Sequence, residues 1–183
     1  GDRGRPTYKR SRRGDAEVDR VAAHVLAAGG REHTIAPFEP WGYDERQYCS
    51  PGFDLAVGCL MRTPYGRFPE YHTSADDLAF VDPAALAESL ALAEGIVTGL
   101  EANRVYRRRD PRAEPQLGRR GLWDPVGGRT RTPNDLAMLW VLNLCDGRHA
   151  LLDVAERSGI ALATLAAAAE RLVTHGLLDE VAA

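Results

Sequence analysis

Two stretches gather side chains able to do chemistry: Trp41-Gly-Tyr-Asp-Glu-Arg-Gln-Tyr-Cys49 and Tyr65-Gly-Arg-Phe-Pro-Glu-Tyr-His-Thr-Ser-Ala-Asp-Asp77. With Arg62 just ahead of the second, they offer Asp44, Glu45, Arg46, Tyr48, Tyr65, Glu70, Tyr71, His72, Asp76 and Asp77. A surface loop usually carries one or two such groups, not a dense mixture with aromatics. His72 is the sharpest candidate. A neutral imidazole is a common zinc ligand, and its second nitrogen needs a partner to fix the tautomer. Asp76 and Asp77 are near enough in sequence to serve. One histidine with nearby acids is weak evidence for a metal, and the residues alone favour a hydrogen-bonded loop histidine over a metal ligand. His24, His33, His149 and His175 lie in or beside expected elements and read as structural or exposed.

The elements that would position these loops have an α/β rhythm. Residues 1–14 are polar and basic, with Arg3, Arg5, Lys9, Arg10, Arg12 and Arg13, and read either as a solvated loop or as a loop that meets an anion. Asp15 is placed to cap a helix to about Ala28, with Val18, Val21, Ala22, Val25 and Leu26 as its apolar stripe. His33–Phe38 reads as a short strand, Pro40–Pro51 as a loop, and Leu55–Met61 as a buried strand of a parallel sheet. A second loop covers Thr63–Ala75. Asp82-Pro83 then predicts the start of a helix to about Arg104, with Leu86, Leu90, Ala93, Val97 and Leu100 on one side.

From Arg104 to Arg131 the texture changes to nine arginines against Asp110, Glu114 and Asp124, with prolines and glycines, and residues 105–131 read as a linker. Residues 132–183 read as a second unit. Thr132-Pro133 opens a helix to about Cys145 with Leu136, Leu139, Trp140 and Leu144 on one face. A short helix follows near Leu151–Arg157, then Ser158-Gly159. A third helix spans about Ala161–Thr174, with Leu162, Leu165, Ala169, Leu172 and Val173 inward, and Leu177–Val181 could form a wing. That pattern predicts a winged helix-turn-helix. Its charges argue against DNA. Residues 133–183 carry seven acids and three arginines, and the third helix has one arginine and no Asn, Gln or Lys to read base edges. A packing or protein-binding role suits it better.

At 183 residues, with 44% hydrophobic and 27% charged residues, the chain has room for one medium domain and a small one, and extended disorder is excluded. The net charge of −3 does not announce a nucleic-acid binder. Basic residues are arginine except for Lys9, which reads as the codon bias of a GC-rich genome. Cys49, Cys59 and Cys145 are odd in number and lack CxxC spacing, against a disulfide framework or a cysteine zinc knuckle. No apolar run approaches the ~18 residues of a membrane span, and residues 1–15 have no secretion-signal core, so a cytoplasmic, reducing setting is expected.

Residues Gly42–Leu78, GYDERQYCSPGFDLAVGCLMRTPYGRFPEYHTSADDL, resemble the zinc aminopeptidase-like fold, the group containing bacterial aminopeptidases and glutaminyl cyclases. More narrowly, they resemble an uncharacterised bacterial branch, often associated with polysaccharide biosynthesis, that joins this domain to a C-terminal winged helix. The resemblance covers essentially the whole chain. It implies the C-terminal part of a zinc-exopeptidase-like αβα sandwich over 1–104, followed by the winged helix. It also implies zinc as cofactor, with His72 as a metal ligand and Asp2 as a second. Asp44 and Glu45 would contact substrate or support the ligands. Arg46, Arg62, Tyr65 and Tyr71 would hold a substrate carboxylate or stabilise an oxyanion. The group's His-x-Asp motif and Glu-Glu pair, which holds the general base, do not occur here. The chain therefore reads as the C-terminal half of a longer zinc-dependent hydrolase of a peptide or amide. A non-catalytic peptide- or protein-binding module is the alternative, and a DNA-binding regulator a weaker third. No membrane partner is expected. The winged helix would pack on the domain or mediate homo-oligomers or a partner protein.

Overall fold

The computed structural model describes residues 1–123 and 132–181. The chain divides into two compact units, Gly1–Leu100 and Glu101–Ala183.

The first unit is mixed α/β. Its elements are β1 (Thr7–Lys9), α1 (Glu17–Ala28), β2 (Thr34–Ala36), α2 (Asp44–Tyr48), β3 (Cys59–Met61) and α3 (Pro83–Ala102). The sheet order is β2-β1-β3. β1 runs parallel to β2, with Tyr8 opposite Ile35, and antiparallel to β3, with Tyr8 opposite Leu60. Three expectations change. The basic N-terminal stretch is not a solvated loop: its Thr-Tyr-Lys is the central strand, fully buried. Three residues carry no alternation to read, and the neighbouring arginines hide them. Only the last three residues of Leu55–Met61 pair, and they pair antiparallel rather than in a parallel sheet. The Pro40–Pro51 loop contains the short helix α2.

Asp15 does not cap α1. The cap position is Ala16, and Asp19, fully buried, reaches back to accept its N–H at 3.1 Å. The same carboxylate accepts from Ser11 N at 2.7 Å, Ser11 Oγ at 2.6 Å and Tyr8 OH at 3.1 Å, which ties β1 to α1. On α3, Asp82 accepts from Ala85 N at 3.0 Å, as its place ahead of a proline predicts. The buried positions of α3 are Ala85, Ile96 and Gly99. The expected stripe lies largely in solvent, with Leu86 49%, Leu90 60% and Val97 59% exposed. The helix is apolar nearly all round, so periodicity could not choose a face. Its 20 residues have the length and mean hydropathy, 1.2, of a membrane span, which the sequence reading did not anticipate. Within this unit its Glu88 is ion-paired to Arg62 at 2.8 Å and Arg31 at 3.0 Å.

The second unit holds β4 (Val105–Arg108), a 3-10 turn (Gly118–Arg120), α4 (Pro133–Leu144), β5 (Asp146–Ala150), α5 (Leu151–Ser158), α6 (Leu162–Thr174) and β6 (Leu178–Glu180). β4 is the middle strand of an antiparallel sheet ordered β5-β4-β6, so the stretch read as a linker begins with a structural strand. Its four residues, Val-Tyr-Arg-Arg, were masked by the arginine run around them. Residues 124–131 of that stretch lie outside the described residues. Thr132 and Asp135 form a capping box, with Thr132 Oγ1 accepting from Asp135 N at 3.2 Å and Asp135 accepting from Thr132 N at 2.8 Å. The inward face of α4 is Ala137, Met138, Val141 and Leu142, rotated from the Leu136–Leu139–Trp140–Leu144 face expected. On α6 the expected Leu162, Leu165, Ala169 and Leu172 are buried, joined by Ala168 in place of Val173. Gly159, in the left-handed region at φ 70°, makes the tight turn between α5 and α6.

Candidate functional site

β1 supplies the centre of the site. Successive strand residues point to opposite faces. Tyr8 turns toward α1 and Asp19, while Thr7 and Lys9 turn toward a groove of about 870 Å³ that Thr34, Trp41, Thr63 and Tyr65 also line. Lys9 Nζ donates to Glu45 Oε1 at 2.6 Å, to the Trp41 carbonyl at 2.6 Å and to Tyr65 OH at 2.9 Å. Tyr65 OH in turn donates to the Trp41 carbonyl at 2.6 Å. Glu45 Oε2 accepts from Tyr43 N at 3.0 Å. Burial disfavours both charges, but the mutual hydrogen bond outweighs it. Glu45 is held below its ordinary pKa and Lys9 above its own. The ion pair therefore clamps the Trp41–Tyr43 segment, and Gly42 is required there. At φ 146° a Cβ would stand 2.0 Å from Glu45 Oε1 and 2.5 Å from Tyr65 OH.

That clamp presents Tyr43. Its hydroxyl lies 3.1 Å from His72 Nε2 and also bonds the Tyr71 hydroxyl. The Tyr71 and His72 rings stack at 4.0 Å, and Tyr43 meets Tyr65 edge to face at 5.6 Å. Phe68 sits against Tyr71 and Phe80, both at 5.5 Å. His72 has φ 59°, a left-handed backbone uncommon outside glycine, Asn, Asp and His. The result is an exposed imidazole and phenol pair on a buried ionic base, able to donate and accept hydrogen bonds to a polar ligand.

The predicted residues separate into two groups. His72, Tyr71, Tyr65 and Glu45 come together through Tyr43. Asp44 and Arg46 stand on α2 beside them, exposed. Arg62 has a different task. Its side chain is 9% exposed, and its guanidinium donates to the Gly4 carbonyl at 2.7 Å and to Glu88 Oε2 at 2.8 Å, binding the N-terminal segment to α3. Asp2 is also engaged. It accepts from Gly4 N at 2.6 Å, Thr63 Oγ1 at 2.7 Å and Thr63 N at 3.2 Å. Asp77 caps Ala79 N at 2.8 Å, and the group that bonds the His72 ring is Tyr43 rather than either Asp76 or Asp77, the partners that sequence proximity suggested. Among the described residues no group of three or more His, Cys, Asp or Glu is placed to hold a metal ion. His72 with Asp2 falls short of the three protein ligands a catalytic zinc takes. Lys9, Trp41 and Tyr43 were not singled out as site residues. The one available signal was that Lys9 is the sole lysine among 23 basic residues.

In the second unit α6 carries Arg171 and Glu170 and buries its leucines, leaving no set of side chains suited to base edges.

Relatives agree with this division. Residues 104–180 match the winged helix-turn-helix family. A Clostridium acetobutylicum protein, provisionally named as a polysaccharide biosynthesis protein with an aminopeptidase-like domain, is 45% identical over 182 residues, covering 99% of this chain and 42% of that protein. A crystal structure of a Clostridium acetobutylicum protein, provisionally named a peptidase, superposes with a TM-score of 0.89 at 43% identity, covering 99% of this chain and 40% of that one. The chain thus spans about two fifths of the length of these relatives. Residues 1–103 match the family described as Domain of unknown function (DUF4910), and the chain belongs to that family, with a winged helix following.

Proposed function

We propose that residues 1–103 form the substrate-binding side of a peptidase-like hydrolase that acts on a peptide or amide, within a longer protein. The observation that carries this reading is the convergence of Tyr43, Tyr71 and His72 above the buried Lys9–Glu45 pair. The peptidase-like names of the relatives support it. In this reading Tyr43 orients the His72 imidazole, Tyr71 offers its hydroxyl to a substrate carbonyl, and Tyr65 holds the Trp41 carbonyl and the Lys9 ammonium in place beneath them. Asp44 and Arg46 flank the entry and select the charge of the substrate ends. Zinc is the metal proposed for the reaction, with His72 as the one ligand these residues offer freely. The described residues do not make a metal site by themselves, so the general base and further ligands would come from elsewhere in the longer protein.

The test is hydrolysis of a panel of aminoacyl amides by the longest natural form of the protein, with bound zinc measured on the same sample. Substrate turnover that falls by about two orders of magnitude in His72→Ala, together with loss of zinc, supports the reading. Turnover and zinc unchanged by His72→Ala overturns it. A second reading, a non-catalytic peptide-binding module, is favoured by the absence of a three-ligand group among the described residues. Peptide binding that survives chelation and shows no turnover would select it.

A further inference from the structure

We propose that the winged-helix unit binds a small organic phosphate in an arginine-lined pocket beside β4. The pocket encloses about 620 Å³ and lies wholly within the second unit. Arg108, Arg109, Arg112, Arg119 and Arg120 line it, against Asp110 and Glu114. Two of the guanidiniums are already neutralised. Arg112 pairs with Asp110 at 2.9 Å, and Arg109 grips Asp179 with bonds of 2.7 and 2.9 Å. Arg108, Arg119 and Arg120 have no carboxylate within salt-bridge distance among the described residues. Arg108 donates to the Leu142 carbonyl at 3.4 Å and to the Ala113 carbonyl, and Arg120 donates to the His175 carbonyl at 3.3 Å. These bonds use one or two of the five N–H groups of each guanidinium and fix its position, leaving the other donors for a ligand. With Arg109 and Arg112 paired, Arg108, Arg119 and Arg120 face only Glu114 and the Asp110 carboxylate that Arg112 already holds. That excess of positive charge matches a phosphate or diphosphate, which accepts forked bonds from several arginines at once. A monocarboxylate would leave most of that charge unmet.

The remaining lining decides between a free anion and an organic one. Leu142, Leu177 and Pro115 give the pocket an apolar wall, which suits the non-phosphate part of a nucleotide-sized molecule. An extended nucleic acid backbone is a poorer match. The pocket is concave, and α6, the helix that would enter a groove, contributes a single arginine.

Calorimetric titration of the full chain near physiological salt tests the proposal, with ADP, pyrophosphate and adenosine as probes. ADP is expected to bind, pyrophosphate to bind more weakly, and adenosine not to bind. Arg119→Gln and Arg120→Gln are each expected to weaken ADP by about tenfold, the worth of one charge-assisted hydrogen bond. Asp110→Asn, which releases Arg112, is expected to tighten it. Melting of the ligand-free variants checks the fold. Arg119 is exposed and makes no hydrogen bond or ion pair among the described residues, so Arg119→Gln keeps the test valid even where Arg120→Gln melts early. No heat with ADP or pyrophosphate, equal affinity in Arg119→Gln, or binding of a DNA duplex that ADP does not displace would each overturn the proposal.

Discussion

Lys9 Nζ stands 2.6 Å from Glu45 Oε1, with the two side chains only 6% and 7% exposed. The contact joins the central strand to a five-residue helix 36 positions later, and the Trp41 carbonyl and Tyr65 hydroxyl complete the ammonium's shell. A lysine suits this cage better than an arginine. Its compact ammonium points three donors at three oxygens, whereas a planar guanidinium needs a wider fork.

Breaking this pair by removing one member leaves the other charge buried alone. Lys9→Met is expected to cost about 3–5 kcal/mol, read by urea unfolding at pH 7. The pH dependence gives a second check. The folded pKa of Glu45 is below its unfolded value, so its contribution is present above about pH 4.3 and is lost as pH falls through the folded pKa. That of Lys9 is above its unfolded value, so its contribution is complete below about pH 10.4 and is lost as pH rises through the folded pKa. In Lys9→Met the isolated Glu45 is protonated more readily, so the stability gap to wild type should narrow as pH falls toward 4. A constant gap from pH 7 to 4 would mean the pair contributes no electrostatic stability.

How far the sequence reveals this site depends on the kind of signal each residue leaves. The helices α1, α3, α4, α5 and α6 are legible from apolar runs and from Pro83, Thr132 and Gly159, because caps and turns are local. β1 is not. Three residues flanked by arginines owe their place to pairing on both sides, which is non-local. The inward faces of α3 and α4 are missed because both helices are apolar nearly all round. His72, Tyr71 and Tyr65 stand out by type and density, and they do converge. Arg62 and Asp2 look equally chemical, yet spend their hydrogen bonds on Gly4, Thr63 and Glu88. Residue type shows what a side chain can do. It does not show which carbonyl or amide lies in reach.

Gly42 tests the clamp from the backbone side. Gly42→Ala adds a Cβ where Glu45 Oε1 and Tyr65 OH already stand, at a φ that disfavours a side chain. A loss of about 1–3 kcal/mol is expected from backbone strain alone, with displacement of the Glu45 carboxylate adding to it. Gly52→Ala, with open space around it and no positive φ, is the control and should be close to neutral. The comparison is made by thermal melting. Equal melting temperatures would show that the Trp41–Tyr43 segment is free to move aside.

Asp2 distinguishes anchoring from metal binding. Asp2→Ala strips acceptors from Gly4 N, Thr63 N and Thr63 Oγ1. The expected loss is about 1–3 kcal/mol for each group left buried and unsatisfied, and it should appear fully in chelator-treated protein. A stability loss seen only when metal is present would assign Asp2 to a metal instead.

Asp19 is the tightest junction between β1 and α1. Its carboxylate accepts four hydrogen bonds, from Tyr8 OH, both donors of Ser11 and the Ala16 N–H. Asp19→Asn keeps the volume but offers one acceptor oxygen and an NH2 group facing other donors. A loss of at least about 2 kcal/mol is expected, because buried donors lose their acceptor and a new donor meets them. Tyr8→Phe removes one bond of the four and leaves the rest in place, so about 1 kcal/mol is expected there. The order matters more than the values. Asp19→Asn should exceed Tyr8→Phe, and the double variant should fall short of their sum, since both act on one network. Strict additivity would mean that Tyr8 and Asp19 stabilise the unit separately and that the strand is held by its ladder alone.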